Sequence, residues 1–498
     1  MTAHHHILER LEHDAPFWRL VEAFRRPGRP GPWLLDSALD GGRLGRFSYL
    51  GPGGGGRFEA RRRSDGRADV RIVAAGRERR YDGVEPFAAL GAWRDRWRMT
   101  AGALANRPAP FVHGAVGWIG YEAGHCIERY PDTGLDDLGL PDIRFGVQDT
   151  VLIRDHDCGV SWLSVLGRGR DGTRAREAAE RSTADIRARL AGWTPGPDPA
   201  DGLSDPADGN PPVPAGREAA YLAAIRSIQH DIREGRVFEC CLTQRFEQTL
   251  AADPWRLYAV LRRDNPAPFA GFLDHGDATI LSASPERFLS LDDRGRLETR
   301  PIKGTRPRHD DPLEDTRLRD ELAASAKDRA ENVMIVDLAR NDLGRVCETG
   351  SVHVPGLCEV EGYATVWQLV STVRGRLREG LDGIDAVRAC FPGGSMTGAP
   401  KIEAMRMIDE LETHARGPYA GAIGWLDSSG AMDLNIVIRT IVARDGRAVY
   451  GGGGAVTADS DPDAEWRESL DKVRALARAI AKVDGDGVDD NHINGNLP

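Results

Sequence analysis

The stretch YGGGGAVTADSDPDAEW, residues 450–466, joins the end of a strand-forming run to the start of a helix that carries acidic residues. Four consecutive glycines let backbone N–H groups approach an anion closely, and the N-terminus of the following helix favours negative charge. The stretch therefore predicts an anion site between a strand end and a helix, suited to a carboxylate or a phosphate. A flexible turn is the alternative.

The same mixture of strands and helices continues outward from this stretch. Apolar residues at helical spacing predict helices over residues 173–193, 217–235, 399–414 and 464–483. Strand-forming runs cover residues 237–250, 278–291 and 432–453, and a hairpin is predicted over 147–166. Because the strands come in hairpin-like groups between helices, and not in strict βαβ alternation, we expect an α+β fold.

Composition divides the chain at one segment. Residues 192–216 are rich in Pro, Gly and Asp and have almost nothing to bury, which predicts a linker or loop. This segment separates an N-terminal region, residues 1–191, which we expect to pack on the core, from a catalytic region, residues 217–484. Residues 485–498 are predicted to form a disordered tail.

Composition also limits the kinds of binding partner and the cellular compartment that we expect. The net charge of −10 comes from mixed charges, so we expect neither a nucleic-acid nor a membrane partner. The sequence contains no apolar stretch of 18 residues, and its seven cysteines are scattered without a CxxC pair. We expect a cytoplasmic protein with reduced thiols, and no zinc site.

Lysine is rare in this arginine-rich chain, which makes each lysine a candidate for chemistry that a guanidinium cannot do. Lys303, in RPIKGTRPR (300–308), is the main candidate for a nucleophilic amine. An unperturbed lysine has a pKa of about 10.4 and is almost wholly protonated at neutral pH. We expect Arg300, Arg306, Arg308 and a bound Mg²⁺ to lower this pKa. A clamp for a substrate carboxylate and a plain surface charge are the alternatives.

Two predicted helices carry acidic pairs. Asp328 and Glu331 lie three residues apart, as do Glu465 and Glu468, so each pair shares one helix face, and Lys472 follows a turn later. Carboxylates from two helices could converge on Mg²⁺, which binds one or two carboxylates together with waters and an anionic substrate. Two solvated helix faces with local ion pairs would show the same spacing.

FPGGSMTGAPKIEAM, residues 391–405, has the glycine spacing of a phosphate-binding loop at Gly393 and Gly398. Ala399 and Pro400 stand where such a loop requires Lys and Ser or Thr, so a nucleotide site is not expected. Pro400 indicates instead the first turn of a helix.

Taken together, these motifs resemble the chorismate-utilising enzymes, in particular component I of the anthranilate and aminodeoxychorismate synthases. The resemblance covers nearly the whole chain. It rests on motifs that occur in the family's order, namely LLDS (34–37), GRFSYLG (45–51), GAVGWIGYE (114–122), LPDIRFGVQDTVLIRDHD (140–157), SASPERF (282–288), RPIKGTRPR, AENVMIVDLARNDLGRV (330–346), FPGGSMTGAPK, NIVIRT (435–440) and YGGGGAVTADSDPDAEWRES (450–469).

The resemblance implies a fold of two large, mainly antiparallel sheets in a β sandwich with helices outside, and Mg²⁺-bound chorismate in a cleft. It implies that the metal is held by Glu331, Glu465 and Glu468, with Asp328 nearby. It also implies that substrate is bound by Thr397, Gly398, Arg439, Tyr450, Gly452, Gly453, Gly454 and Lys472.

Two positions separate the branches of the family. Lys303 stands where anthranilate synthases usually have alanine, and the resemblance implies that it adds to C2 of chorismate while Glu286 protonates the departing C4 hydroxyl. Gln368 stands where anthranilate synthases typically carry a histidine associated with proton removal during pyruvate elimination. Both residues favour amination at C4 with the enolpyruvyl group retained.

The motifs also bear on other branches of the family. Isochorismate and salicylate synthases place a water-activating lysine near Glu239, and that lysine is absent here. An anthranilate synthase component I remains the alternative enzyme, and a non-catalytic regulatory subunit is a further one.

The resemblance implies that ammonia comes from a separate glutamine amidotransferase subunit, since no cysteine of this chain lies in a glycine-rich elbow. In LLDS, Asp36 and Ser37 occupy the place where feedback-inhibited relatives bind tryptophan. The same two residues could simply pack a turn between strands.

Overall fold

The structure is a computed structural model. It describes residues 3–26, 30–39, 44–74, 76–99, 107–206, 209–363 and 366–485. No helix in these ranges is both long enough and apolar enough to cross a membrane.

The described ranges contain the following strands: β1 (Ala3–Arg10), β2 (Trp33–Asp36), β3 (Phe47–Gly51), β4 (Arg57–Arg62), β5 (Ala68–Ala74), β6 (Arg77–Val84), β7 (Gly114–Ile119), β8 (Ile143–Gln148), β9 (Thr150–Asp155), β10 (Val160–Gly169), β11 (Glu239–Thr249), β12 (Phe269–Asp274), β13 (Thr279–Ser284), β14 (Arg287–Leu291), β15 (Arg296–Arg300), β16 (Ile302–Pro307), β17 (His353–Gly362), β18 (Val366–Arg376), β19 (Gly398–Ala399), β20 (Ala422–Asp427), β21 (Met432–Ile436), β22 (Thr440–Arg444) and β23 (Arg447–Val456). The helices are α1 (Pro86–Arg94), α2 (Gly172–Ala191), α3 (Arg217–Arg233), α4 (Pro254–Asp264), α5 (Pro312–Ala324), α6 (Ala326–Gly344), α7 (Gly383–Cys390), α8 (Lys401–Leu411) and α9 (Pro462–Gly485).

The strands form two large sheets in which neighbours run antiparallel. The first sheet has the order β1-β10-β9-β3-β2-β12-β13-β22-β23-β11-β19. The second has the order β16-β18-β15-β14-β21-β20-β7-β8-β4-β5-β6, with β17 paired to β18 as well. The predicted α+β class and the predicted pair of large sheets are confirmed.

Alternating side chains show how the sheets pack. In β20, Ile423 and Trp425 belong to the apolar cluster between the sheets, whereas Ala422 and Leu426 belong to the cluster on the opposite face. Tyr49 from the first sheet meets Trp425 from the second, with ring centroids 6.2 Å apart. Since successive residues of a strand point to opposite faces, each sheet buries one face against the other sheet and one against helices.

The predicted hairpin over residues 147–166 is confirmed as β9 and β10, and the predicted helices as α2, α3, α8 and α9, with α6 as the predicted acidic helix of Asp328 and Glu331. Two of the predicted strand-forming runs, residues 278–291 and 432–453, do not stay within one sheet. Each breaks and passes from one sheet to the other, between β13 and β14 and between β21 and β22.

The Pro- and Gly-rich segment contains no helix or strand over its described residues, 192–206 and 209–216. It lies against the N-terminal region and α4. Arg19 donates hydrogen bonds to the carbonyls of Gly196 and Pro197, and Arg263 donates to that of Ala200, which is buried. Of the predicted tail, residue 485 ends α9, and residues 486–498 lie outside the described residues.

Candidate active site

The two places where the chain crosses between the sheets lie side by side. Glu286 follows β13 at one crossing, and Arg439 precedes β22 at the other. The N–H of Ile436 donates to the carbonyl of Glu286 at 2.9 Å, and the N–H of Ala283 donates to the carbonyl of Arg439 at 3.0 Å. These backbone bonds hold two predicted site residues next to each other, although they are some 150 residues apart in sequence.

Arg439 carries a largely buried charge that the protein leaves free. No described residue forms an ion pair or a hydrogen bond with its guanidinium, and burial alone lowers its pKa. Its backbone has φ 49°, a left-handed conformation that is unusual for a residue other than glycine. An unpaired guanidinium held in a strained conformation fits the predicted role of binding a substrate carboxylate.

Glu286 is buried, with 5% of its surface exposed. Burial raises its pKa to about 7, against a hydrogen bond from Ser395 and the positive charge of Lys303, both of which lower it. A carboxyl group with a pKa near neutrality can give up a proton at the pH at which most enzymes work.

Lys303 lies on β16 and points into the same region. Its side chain is 10% exposed, and its Nζ lies 3.6 Å from Oε1 of Glu239, the first residue of β11. Burial lowers the pKa of this lysine, but the charges of Glu239 and Glu331 outweigh burial and raise the pKa above its ordinary value.

The expectation that arginines would surround Lys303 with positive charge is wrong. Arg300 pairs with Glu361, Arg306 with Glu321 and Asp328, and Arg308 with Asp315. Alternate residues of a strand point to opposite faces, so sequence neighbours of Lys303 need not face it. The side chains that do face it are acidic.

Glu331 of α6 and Glu465 of α9 approach each other. The ammonium of Lys327 lies between them, 3.8 Å from Oε1 of Glu331 and 3.5 Å from Oε1 of Glu465. Burial raises the pKa of Glu331 to about 7. Burial would also raise the pKa of Glu468, but Lys472, 2.7 Å away, outweighs it and lowers that pKa.

These residues fit a divalent cation by their chemistry. Carboxylates are the ligands that Mg²⁺ prefers, and a lysine ammonium already lies between two of them. A Cβ built on Gly454 would lie 2.9 Å from Oε2 of Glu465 and 3.6 Å from Oε1 of Glu468, so the missing side chain leaves room there. The oxygens of the three glutamates do not all lie within 4.8 Å of one another, so a shared ion requires these side chains to rearrange.

The four glycines are part of β23 and do not form the predicted junction after a strand end. Gly452 pairs with Gln244, Gly453 with Thr243 and Gly454 with Leu242 in register with β11. A Cβ on Gly452 would meet Val473 of α9 at 2.3 Å, and one on Gly453 would meet the carbonyl of Leu242 at 2.1 Å. Close packing against α9 and β11 explains this run of glycine.

Gly398 begins the short strand β19, and Thr397 directly precedes it. Thr397 is fully buried and its carbonyl accepts the N–H of Cys241, while Gly398 pairs with Cys240. A Cβ on Gly398 would lie 2.2 Å from the carbonyl of Glu239. The two residues therefore border the strand that carries Glu239.

Gln368 is buried on β18, in register with Thr305 of β16. Its Oε1 is buried and has no hydrogen-bond partner among the described residues. A buried acceptor without a partner is uncommon in folded proteins and leaves this residue able to accept a hydrogen bond.

Three residues predicted to bind ligands, Tyr450, Asp36 and Ser37, form hydrogen bonds with other residues of the protein. Tyr450 stacks on Phe246 and donates a hydrogen bond to Gln248. Among the described residues, it forms no hydrogen bond with Lys303 or with the acidic residues. Asp36 accepts from Arg262 and Ser48. Ser37 donates to the carbonyl of Phe47. The tryptophan pocket at Asp36 and Ser37 stays a prediction. The side-chain oxygens of these two residues already form hydrogen bonds that stabilise strand ends.

Two residues of this region, Glu239 and Arg416, are not among the predicted site residues. Glu239 was noted only as the place where a lysine is absent. Arg416, which is buried, donates to the carbonyls of Met396 and Cys241 and pairs with Glu412. It thereby ties the segment before β19 to β11. The motif comparison gave no indication of either role, because both depend on contacts between distant segments.

Two facing antiparallel sheets, with acidic residues and a lysine gathered where the chain crosses between them, define the class of chorismate-utilising enzymes. A crystal structure of anthranilate synthase component I from Streptococcus pneumoniae superposes with a TM-score of 0.72 and 31% identity, over 88% of this chain and 93% of that one. The chain belongs to the chorismate binding enzyme family, whose pattern it matches over residues 61–478.

Two relatives carry different names. An aminodeoxychorismate synthase of Streptomyces pristinaespiralis is 44% identical over 463 residues, which are 91% of this chain and 62% of the relative. An anthranilate synthase component 1 of Thermus thermophilus is 40% identical over 455 residues, covering 91% of this chain and 92% of the relative. The chain thus spans less than two thirds of the Streptomyces relative.

Proposed function

We propose that this chain aminates chorismate at C4 with ammonia, giving 4-amino-4-deoxychorismate. Lys303 adds to C2 and expels the C4 hydroxyl, which leaves as water after Glu286 protonates it. Ammonia then adds at C4 and expels the lysine, so that the enolpyruvyl group is kept. Hydroxide is a poor leaving group, and its protonation is the step for which a buried acid is needed.

The observation that carries this proposal is the pair formed by Lys303 and Glu286. The lysine is almost wholly buried and lies within electrostatic range of a carboxyl group whose pKa is about 7. A nucleophile and an acid in one buried site are what the substitution requires. Gln368 supports the same product, because an amide cannot serve as the base of a pyruvate elimination.

The other residues bind and orient the substrate in this proposal. Arg439 pairs with a substrate carboxylate. Glu331, Glu465 and Glu468, with Asp328 nearby, would hold Mg²⁺, which supplies positive charge for an anionic substrate. Lys472 donates to the carbonyl of Gly453 at 2.8 Å and so keeps an ammonium beside the acidic residues.

The proposal includes a glutamine amidotransferase subunit as the source of ammonia. The names of the Thermus relative and of the Streptococcus structure, each called a component 1 or I, support an assembly of more than one component in those enzymes. With this chain alone, we expect product from ammonium chloride and none from glutamine.

The test is mass spectrometry of the products formed from chorismate, Mg²⁺ and ammonium chloride, with Lys303→Ala as the control. We expect a product that retains the enolpyruvyl group, is converted to 4-aminobenzoate by an added lyase, and falls at least 100-fold in the control. Anthranilate with pyruvate would assign the chain to the other branch. Absence of any product would favour a binding role.

A further inference from the structure

Glu239 is a buried acid for which the protein provides no hydrogen bond. None of its surface is exposed, and neither carboxylate oxygen has a hydrogen-bond partner among the described residues. Buried carboxylates are normally hydrogen-bonded, because a buried charge without partners is costly. A carboxylate left in this state has a function that the fold alone does not explain.

Among the residues that the structure describes, the one cationic group within 4.0 Å of the Glu239 carboxylate is the amine of Lys303. Nζ lies 3.6 Å from Oε1, and Glu239 is the only carboxylate within 4.0 Å of this Nζ in the described part of the chain. The distance is slightly longer than a hydrogen bond, so a small side-chain movement brings the two atoms into contact. The arrangement is an acid and an amine that face each other in a buried site.

A lysine nucleophile must lose a proton before it can attack, and the charges around Lys303 oppose the loss of that proton. Glu331 of α6, Glu286 at the crossing and the thiol of Cys241 also face Lys303, and Lys472 of α9 lies near Cys241 and Glu286. The negative charges favour the ammonium form. The proton therefore needs a nearby acceptor, because loss to solvent is unfavourable.

We propose that Glu239 is the base that removes the proton from Lys303. This inference rests on the proposed function. The N–H bond of the ammonium breaks, the proton goes to a carboxylate oxygen of Glu239, and the nitrogen lone pair forms the bond to C2. When ammonia later displaces the lysine, the amine leaves neutral and takes the proton back, so both groups return to their charged forms.

Internal transfer has a consequence for the pH profile. The ion pair and the neutral pair contain the same number of protons, so the supply of neutral amine does not depend on pH across the neutral range. In Glu239→Gln the amine must lose its proton to solvent, and its neutral fraction then rises about tenfold per pH unit below the pKa of the lysine.

The experiment measures kcat and KM for chorismate between pH 6.5 and 9.5 for the unaltered chain, Glu239→Gln, Glu239→Asp and Lys303→Ala, with saturating Mg²⁺ and ammonia. Ammonia concentration is corrected for pH. In Glu239→Gln we expect kcat at pH 7 to fall about 100-fold or more with KM changed less than threefold, since general bases contribute about 10² to 10⁴. Ionisation of Glu286, whose pKa is about 7, lowers kcat above neutrality in every variant alike. The ratio of kcat in the unaltered chain to kcat in Glu239→Gln should therefore fall about tenfold per pH unit, and Glu239→Asp should give a profile parallel to that of the unaltered chain with reduced kcat.

Two outcomes would overturn the inference. One is a Glu239→Gln profile parallel to that of the unaltered chain, which indicates a packing role, and the other is a Glu239→Gln enzyme as active as the unaltered one. If Lys303→Ala keeps full activity, the proposed function itself fails, so the two failures are distinguishable. Thermal melting of each variant identifies loss of fold, and Glu239→Asp keeps the test decisive if Glu239→Gln is unstable.

Discussion

At the scale of single residues, the site consists of charged groups that the protein does not neutralise in the usual way. The described residues include many arginine–carboxylate pairs, yet they leave the guanidinium of Arg439 without a partner. Glu239 and Gln368 likewise retain buried oxygens without hydrogen bonds. Such groups reduce stability, and a substrate or a reacting amine can supply the missing partner.

Arg439→Gln tests the role of the free guanidinium. Hydrogen bonds to charged groups contribute about 1.5 to 3 kcal/mol, and tenfold in affinity corresponds to about 1.4 kcal/mol. We expect KM for chorismate to rise roughly 10- to 100-fold. The melting temperature should stay equal or increase, because the variant no longer buries an unpaired charge.

The control for this variant is Arg447→Gln, which removes a partly exposed arginine paired with Asp137 and Glu247. Its KM should be unchanged. Steady-state kinetics and thermal melting suffice for both variants. An unchanged KM in Arg439→Gln would exclude this residue from carboxylate binding.

At the scale of elements, β23 and α9 act as one unit. Glycine at 452 and 454 lets the helix approach the strand so closely that Glu465, Glu468 and Lys472 all lie above Gly454. A run of glycine suggests a loop when only the sequence is considered. In the structure these glycines are needed because they lack side chains, and not for their backbone freedom. The neighbouring helix and strand occupy the space that side chains would fill.

Gly454→Ala adds one methyl group beneath the acidic residues. Its Cβ would lie 2.9 Å from Oε2 of Glu465, so that carboxylate must move by several tenths of an ångström. We expect the Mg²⁺ concentration for half-maximal activity to rise at least tenfold while the chain stays folded. The measurement is activity titrated with MgCl₂.

Gly91→Ala is the matched control, since no atom apart from its chain neighbours and the surrounding helix backbone lies within 4 Å of the added Cβ. Because alanine is the better helix former, this change in α1 should be neutral or stabilising, with the same Mg²⁺ dependence. Equal Mg²⁺ dependence of Gly454→Ala and the unaltered chain would contradict a metal site above β23.

At the scale of the whole molecule, the sandwich concentrates buried acids in one place. Four segments that are distant in sequence supply Glu239, Glu286, Glu331 and Glu465, namely the start of β11, the crossing after β13, and the helices α6 and α9. Burial raises the pKa of both Glu286 and Glu331 to about 7. The stability of the chain, and the Mg²⁺ binding that we propose for it, are therefore linked to pH.

The sign of this linkage follows from proton binding. Glu286 and Glu331 have a pKa of about 7 in the folded chain and about 4.3 when unfolded, so the folded state binds more protons between these values. Their contribution to stability is present below about pH 4.3 and is lost as pH rises through about 7. We expect the melting temperature without Mg²⁺ to fall by several degrees between pH 6 and pH 8.

Mg²⁺ should reverse part of this loss at pH 8, because a cation favours the charged form of Glu331. Glu331→Gln should remove most of the Mg²⁺-dependent increase. Differential scanning calorimetry at pH 6 and 8, with and without MgCl₂, measures all of these effects. A melting temperature that rises with pH in the metal-free protein would contradict the assignment of raised pKa values.

The sequence by itself determined the α+β class, the principal helices and the hairpin, because these depend on local apolar periodicity and turn residues. Short motifs also made Lys303, Glu286, Arg439 and the acidic pairs candidate site residues. Only the tertiary structure decided which of these side chains meet. The crossings place Glu286 beside Arg439, and the approach of β11 to β16 gives Lys303 an acidic neighbour where its sequence neighbours are arginines. Such contacts depend on the register and facing of strands far apart in the chain, which local sequence does not specify.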